Sequence, residues 1–101
     1  MNYGLPADTI LSMQRVFARY PAIEEVVIYG SRAKGNYRPG SDIDLTLKGP
    51  ELDATLLSKL LTELDELNTP YLMDVSIYHQ LQAQGLIKHI QNVGQVFYRR
   101  H

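Results

Sequence analysis

With 101 residues the chain has room for one domain and one hydrophobic core, and we read residues 1–101 as a single domain. A hydrophobic share of 45%, a charged share of 21% and a net charge of −1 are ordinary globular values, and they argue against a general nucleic-acid surface, which needs a large basic excess. The absence of cysteine excludes disulfides and thiolate metal sites, no apolar run approaches the ~20 residues of a membrane span, and no signal-peptide pattern opens the chain, so the expectation is a cytoplasmic protein that does not engage membranes.

After Pro6, the residues Ile10, Met13, Phe17 and Tyr20 recur at three- and four-residue steps and predict an amphipathic helix that ends before Pro21. Glu25 to Tyr29 (EVVIY) is β-branched and aromatic and is bounded by Gly30, which reads as a buried strand. Ser31 to Lys34 forms one helical turn, with Gly35 supplying the positive φ that ends it, and Asn36 to Gly40 is a loop. Ile43, Leu45 and Leu47 then alternate with Asp42, Asp44 and Thr46, giving a half-buried strand that Lys48-Gly49-Pro50 breaks. From Asp53 onward, Leu56, Leu57, Leu60, Leu61, Leu64 and Leu67 make an apolar helical stripe, read as core and not as a zipper. Asn68-Thr69-Pro70 turns the chain into a third strand, Tyr71 to Tyr78. Leu81, Leu86, Ile87 and Ile90 suit a last helix stopped at Gly94, and Gln95 to Tyr98 adds a short strand. The order predicts an α/β (α+β) fold, a small mixed sheet with helices packed on one face.

The chemistry concentrates on acids. Asp42 and Asp44 stand at i and i+2 of a strand, so both carboxylates project from the same face. Two anions that close repel, and the pair is stable only with protons or cations to offset it. A hard divalent ion shared with a substrate's phosphate oxygens is the natural counter-charge. Asp74 interrupts an apolar run, where an acid is unfavourable unless compensated. By parity it shares a face with Leu72, Ser76 and Tyr78. If its strand pairs beside the Asp42–Asp44 strand, three carboxylates converge at one rim of the sheet; otherwise Asp74 is a solvated edge acid or an arginine's partner. His79, His89 and His101 have no spacing that suggests a metal site, and Arg99, Arg100 and His101 form a basic end. Tyr37, in the polar loop, is a candidate contact residue or simply packs locally.

Gly30-Ser31, ten intervening residues and Asp42-Ile43-Asp44 are similar to the signature of the DNA polymerase β-type nucleotidyltransferase superfamily. Through GSRAKG, SDIDL, KGP and YLMDVSIY the whole chain resembles the minimal nucleotidyltransferases, small antitoxin partners of HEPN-domain toxins. These antitoxins often carry arginine where this chain has Lys34, which keeps the charge and loses the planar fork. The resemblance implies a polymerase β-like core, with Asp42, Asp44 and Asp74 as catalytic residues and as ligands of two Mg2+ ions, or of Mn2+ in their place. ATP would be the substrate. Gly30, Ser31, Arg32 and Lys34 would contact the nucleotide, Gly30 by allowing close backbone approach and Ser31 by donating to the β- and γ-phosphates. Arg32 and Lys34 read equally well as solvated surface charges.

The resemblance further implies an acceptor held by a separate molecule, a cognate HEPN-family RNase toxin whose tyrosine hydroxyl receives AMP. Two other classes stay open: an antitoxin that masks the toxin by binding alone, and a catalytic core serving another acceptor. No direct nucleic-acid partner is expected.

Overall fold

A computed structural model describes residues 2–101. Among the described residues, four helices and four strands follow in the order α1 (Ala7–Ala18), β1 (Glu25–Tyr29), α2 (Gly30–Lys34), β2 (Ile43–Lys48), α3 (Ala54–Asp65), β3 (Met73–Ile77), α4 (Gln84–Val93) and β4 (Gln95–Arg99), with a 3-10 turn at Tyr78–Gln80 between β3 and α4. The sheet order is β3-β2-β1-β4. β1 pairs antiparallel with β2 and β4, whereas β2 and β3 run parallel. A parallel neighbour needs a crossover, and α3 supplies it.

Period-2 and period-3.6 patterning decide what is buried. In β1, Val26 and Ile28 face the larger core and Val27 and Tyr29 the smaller one, so an uninterrupted apolar run was needed to cover both sides of a central strand. Ile43, Leu45 and Leu47 of β2 are fully buried on the larger side with Met13, Val16 and Phe17 of α1 and Leu60 and Leu64 of α3. Helix α3 starts on Asp53, whose carboxylate accepts the Leu56 N–H at 2.8 Å and satisfies one of the free amides of the first turn. Leu61 leaves the expected stripe and is exposed.

The one-sided packing expected of the helices holds for α1 and α3. Helix α4 is the addition: Ile90, with Leu86 and Val93 beside it, covers Val27 and Tyr29 on the opposite face. The short helix α2 ends as expected on Gly35, at φ +88°. The third strand is shorter than its apolar run, because Tyr78 turns into the 3-10 segment. Among the described residues no helix is long and apolar enough to cross a membrane.

Phe17 is 0% exposed and meets Phe97 edge-on, with ring centroids 6.2 Å apart. Phe17→Ala should cost about 3–5 kcal/mol, read as a lower urea midpoint at unchanged m.

Candidate active site

The register of the sheet sets the site. Asp44 of β2 lies opposite Asp74 of β3 and opposite Tyr29 of β1, and one step further Thr46 lies opposite Ser76. Partners in register share a face, so the acids stand on the side that α4 covers. Asp42 precedes β2 and is exposed, Asp74 is exposed on the edge strand, and Asp44 between them is half-buried. The parallel pairing of β2 and β3 therefore sets Asp74 beside Asp44. A hydroxyl rung continues the face below them, with Ser76 Oγ donating to Thr46 Oγ1 at 3.0 Å.

The electrostatics follow from this crowding. Burial pushes the Asp44 carboxyl above the usual aspartate range, the negative charges of Asp74 and Asp42 push it further, and His89 opposes them. The Tyr29 phenol is likewise raised, chiefly by burial, with the nearby Ser76 hydroxyl opposing and the charges of Asp74 and Asp44 adding. Among the described residues the ion pairs engage Glu25 and Glu63, and none engages Asp42, Asp44 or Asp74. The rim thus carries anionic charge that no protein cation pairs. It is not a finished ligand cage, for no three His, Asp or Glu side chains among the described residues stand close enough to hold an ion together. Hard oxygen donors without a paired cation fit a divalent ion such as Mg2+.

The Gly-Ser turn closes β1 against these acids. Gly30 has φ +73°, and a Cβ there would fall far inside van der Waals contact with Asp44 Oδ2. Glycine is required twice over, for the left-handed backbone and for the approach of the carboxylate. Ser31 follows, its carbonyl accepting the N–H groups of Gly35 and Asn36 and closing the turn. Lys34 is exposed at the end of α2.

Arg32 is placed otherwise than expected. Its side chain is 1% exposed, Nε and Nη2 donate to the Ser41 carbonyl, and Nη1 donates to the Tyr3 carbonyl. Its donors point into the protein, so the expected contact of Arg32 with nucleotide is withdrawn. The residue that sequence reasoning missed is His89. Its Nε2 accepts the Gly30 N–H at 3.2 Å, and its ring meets Tyr29 edge-on, with centroids 6.0 Å apart. The signal was its helical spacing with Leu86, Ile90 and Val93, which places it on the inward face of α4.

The chain thus sets a Gly-Ser turn at the end of β1 against acids on and beside β2 and β3 of a mixed sheet. Residues 12–101 match the family model described as "Polymerase beta, Nucleotidyltransferase", and the chain belongs to that family. No curated protein matches the chain. Among solved structures, a toxin-antitoxin with AMP-PNP is similar over 96% of this chain and 76% of the other, at TM-score 0.68 and 19% identity. A complex of a tri-AMPylated Shewanella oneidensis HEPN toxin with an MNT antitoxin contains a chain matching at TM-score 0.59 and 16% identity, covering 91% of this chain and 68% of the other. A Sulfolobus solfataricus structure gives TM-score 0.51 and 22% identity, covering 96% of this chain and 92% of the other. At these identities the likeness establishes the fold.

Proposed function

We propose that this chain is a metal-dependent protein adenylyltransferase acting as an antitoxin, which transfers AMP from ATP to a tyrosine hydroxyl of a cognate HEPN-family RNase toxin and so neutralises it. The observation that carries the reading is the Asp44–Asp74 register beside the Gly30-Ser31 turn, in a chain of this family. It is supported by the fold shared with an MNT antitoxin bound to a tri-AMPylated HEPN toxin and with a toxin-antitoxin holding AMP-PNP.

Asp42, Asp44 and Asp74 would hold two divalent ions, Mg2+ or Mn2+. Such ions, when bound, offset charge on the attacking and leaving oxygens of an in-line displacement at the α-phosphate. The chain's own groups do the rest. Ser31 and the amides of its turn donate to the β- and γ-phosphates, and Lys34 offsets charge on the departing pyrophosphate. His89 holds the Gly30 amide in place. Asp74 takes the tyrosine proton as the new oxygen–phosphorus bond forms and the bond to the β-phosphate oxygen breaks. The added phosphodiester then sets bulk and negative charge where RNA phosphate must bind.

The test is the intact mass of the cognate HEPN partner after incubation with ATP and Mg2+, with wild type beside Asp42→Asn/Asp44→Asn. A gain of one or more AMP units with wild type alone is the expected result. No gain, despite a stable complex and lost toxicity, would replace transfer by masking.

A further inference from the structure

Among the described residues, Arg32 and Thr46 are the buried polar or charged side chains, and Arg32 alone carries a full charge. A buried cation is unfavourable unless its donors are used and its charge is offset. Here no carboxylate does so. Two donors converge on one carbonyl, Ser41, at 3.2 and 2.9 Å, and a third reaches the Tyr3 carbonyl at 2.9 Å. The guanidinium carbon lies 5.2 Å from the Tyr37 ring centroid and 5.0 Å from that of Tyr71, so two aromatic rings approach the cation.

What these partners adjoin gives the arrangement its meaning. Ser41 is the residue before Asp42. Tyr71 lies three residues before Asp74, and the Leu72 carbonyl accepts the Ile43 N–H at 2.9 Å, joining the entry of β3 to that of β2. Arg32 itself lies two residues beyond Gly30. One side chain therefore ties the Gly-Ser turn to both segments that deliver the acids.

We propose that Arg32 is a positioning residue that fixes Asp42, and through Tyr71 the start of β3, relative to the Gly-Ser turn, and that it touches neither nucleotide nor metal. The inference rests on the reading that the three acids hold divalent ions. The task suits arginine specifically. Only a planar fork directs two N–H groups at one carbonyl, a third at another, and still packs against aromatic rings. Lysine keeps the charge and loses that geometry.

The test compares wild type, Arg32→Lys, Arg32→Met and Tyr37→Leu in the full chain, with Asp42→Asn as the control for lost ligation. Three quantities are read: Mn2+ affinity by electron paramagnetic resonance, hydrogen exchange of the amides from Asn36 to Asp42 without metal, and steady-state transfer. The two arginine variants should bind Mn2+ about 10-fold more weakly, the usual scale for a lost support behind a metal ligand. Their loop amides should exchange faster, and kcat should fall while the KM for ATP stays within about twofold. Tyr37→Leu, at a partly exposed position, should move the same readouts less. Should Arg32→Met fail to fold, Arg32→Lys and Tyr37→Leu decide. Wild-type Mn2+ affinity and loop exchange in Arg32→Lys would overturn the proposal, as would a raised KM for ATP at unchanged kcat, the mark of direct nucleotide contact. A wild type that binds no Mn2+ would overturn the metal reading and the inference built on it. Loop exchange, which needs no metal, separates that outcome from a failure of the clamp alone.

Discussion

Asp44→Asn is expected to stabilise the metal-free protein and to abolish its chemistry. The folded-state pKa of Asp44 is raised by burial first, then by Asp74 and Asp42, so its ionised form opposes folding. That penalty is full above the raised pKa. It is lifted as pH falls through the raised value toward the ordinary aspartate range, because the folded state takes up its proton before the unfolded state does. In EDTA at neutral pH the variant should melt above wild type, and the gap should close as pH falls toward that range. Transfer should move the other way. With Asp44 in its proposed role of holding an ion that offsets charge at the reacting phosphate, its loss should remove several kcal/mol of transition-state stabilisation, a loss on the order of 10³-fold in rate. Thermal melts across pH and single-turnover transfer to the partner check both halves. A variant less stable than wild type at pH 7 without metal would refute the charge argument, whatever its activity.

Gly30→Ala should damage the site more than the fold. Alanine must adopt φ +73°, a left-handed conformation that costs an L side chain roughly 1–2 kcal/mol. Its methyl group would also collide with Asp44 Oδ2. That oxygen ends a side chain that can rotate, so the chain folds and the carboxylate moves. Displacement of a reacting group by about 1 Å is enough for a loss on the order of 10²-fold. Gly35→Ala is the matched control. Gly35 has φ +88° with nothing within 4 Å of an added Cβ, so the backbone strain is alike and the collision is absent. The two variants should lose similar stability in urea, and only Gly30→Ala should lose transfer. Equal activity loss in both would mean that strain in the turn, and not the Asp44 contact, is what matters.

The features legible in advance were those that depend on neighbours in the chain. The run EVVIY marks a strand buried on both sides, the alternation from Asp42 to Leu47 marks one strand face as acidic, and Gly35 marks the end of the short helix. Asp74 was legible as an anomaly in an apolar run, but its place beside Asp44 was left conditional, because a parallel register is set across the α3 crossover and leaves no local trace. Arg32 was misread for the same reason. After Gly-Ser an arginine looks like a phosphate ligand, and what buries it comes from Tyr3, Ser41 and Tyr71, far apart in the chain. His89 was judged by its distance from other histidines, when its neighbours on the helical face held the information. The side of the sheet taken by α4 was hidden too, since a strand apolar on both faces does not say which helix covers which.

The edge position of β3 has a dynamic consequence. Asp44 belongs to a strand flanked on both sides, with Asp42 just before it, whereas Asp74 rides on an edge strand bordered only by β2 that starts just after the exposed Leu72. Opening that single ladder breaks the pairing of β3 to β2 and leaves the β1–β2 pairing and the Gly-Ser turn in place. The third acid is therefore held by less free energy than the domain as a whole. With Asp74 in its proposed role, transfer should be lost on warming or in denaturant before the global transition, and hydrogen exchange of the β3 amides should rise over the same range.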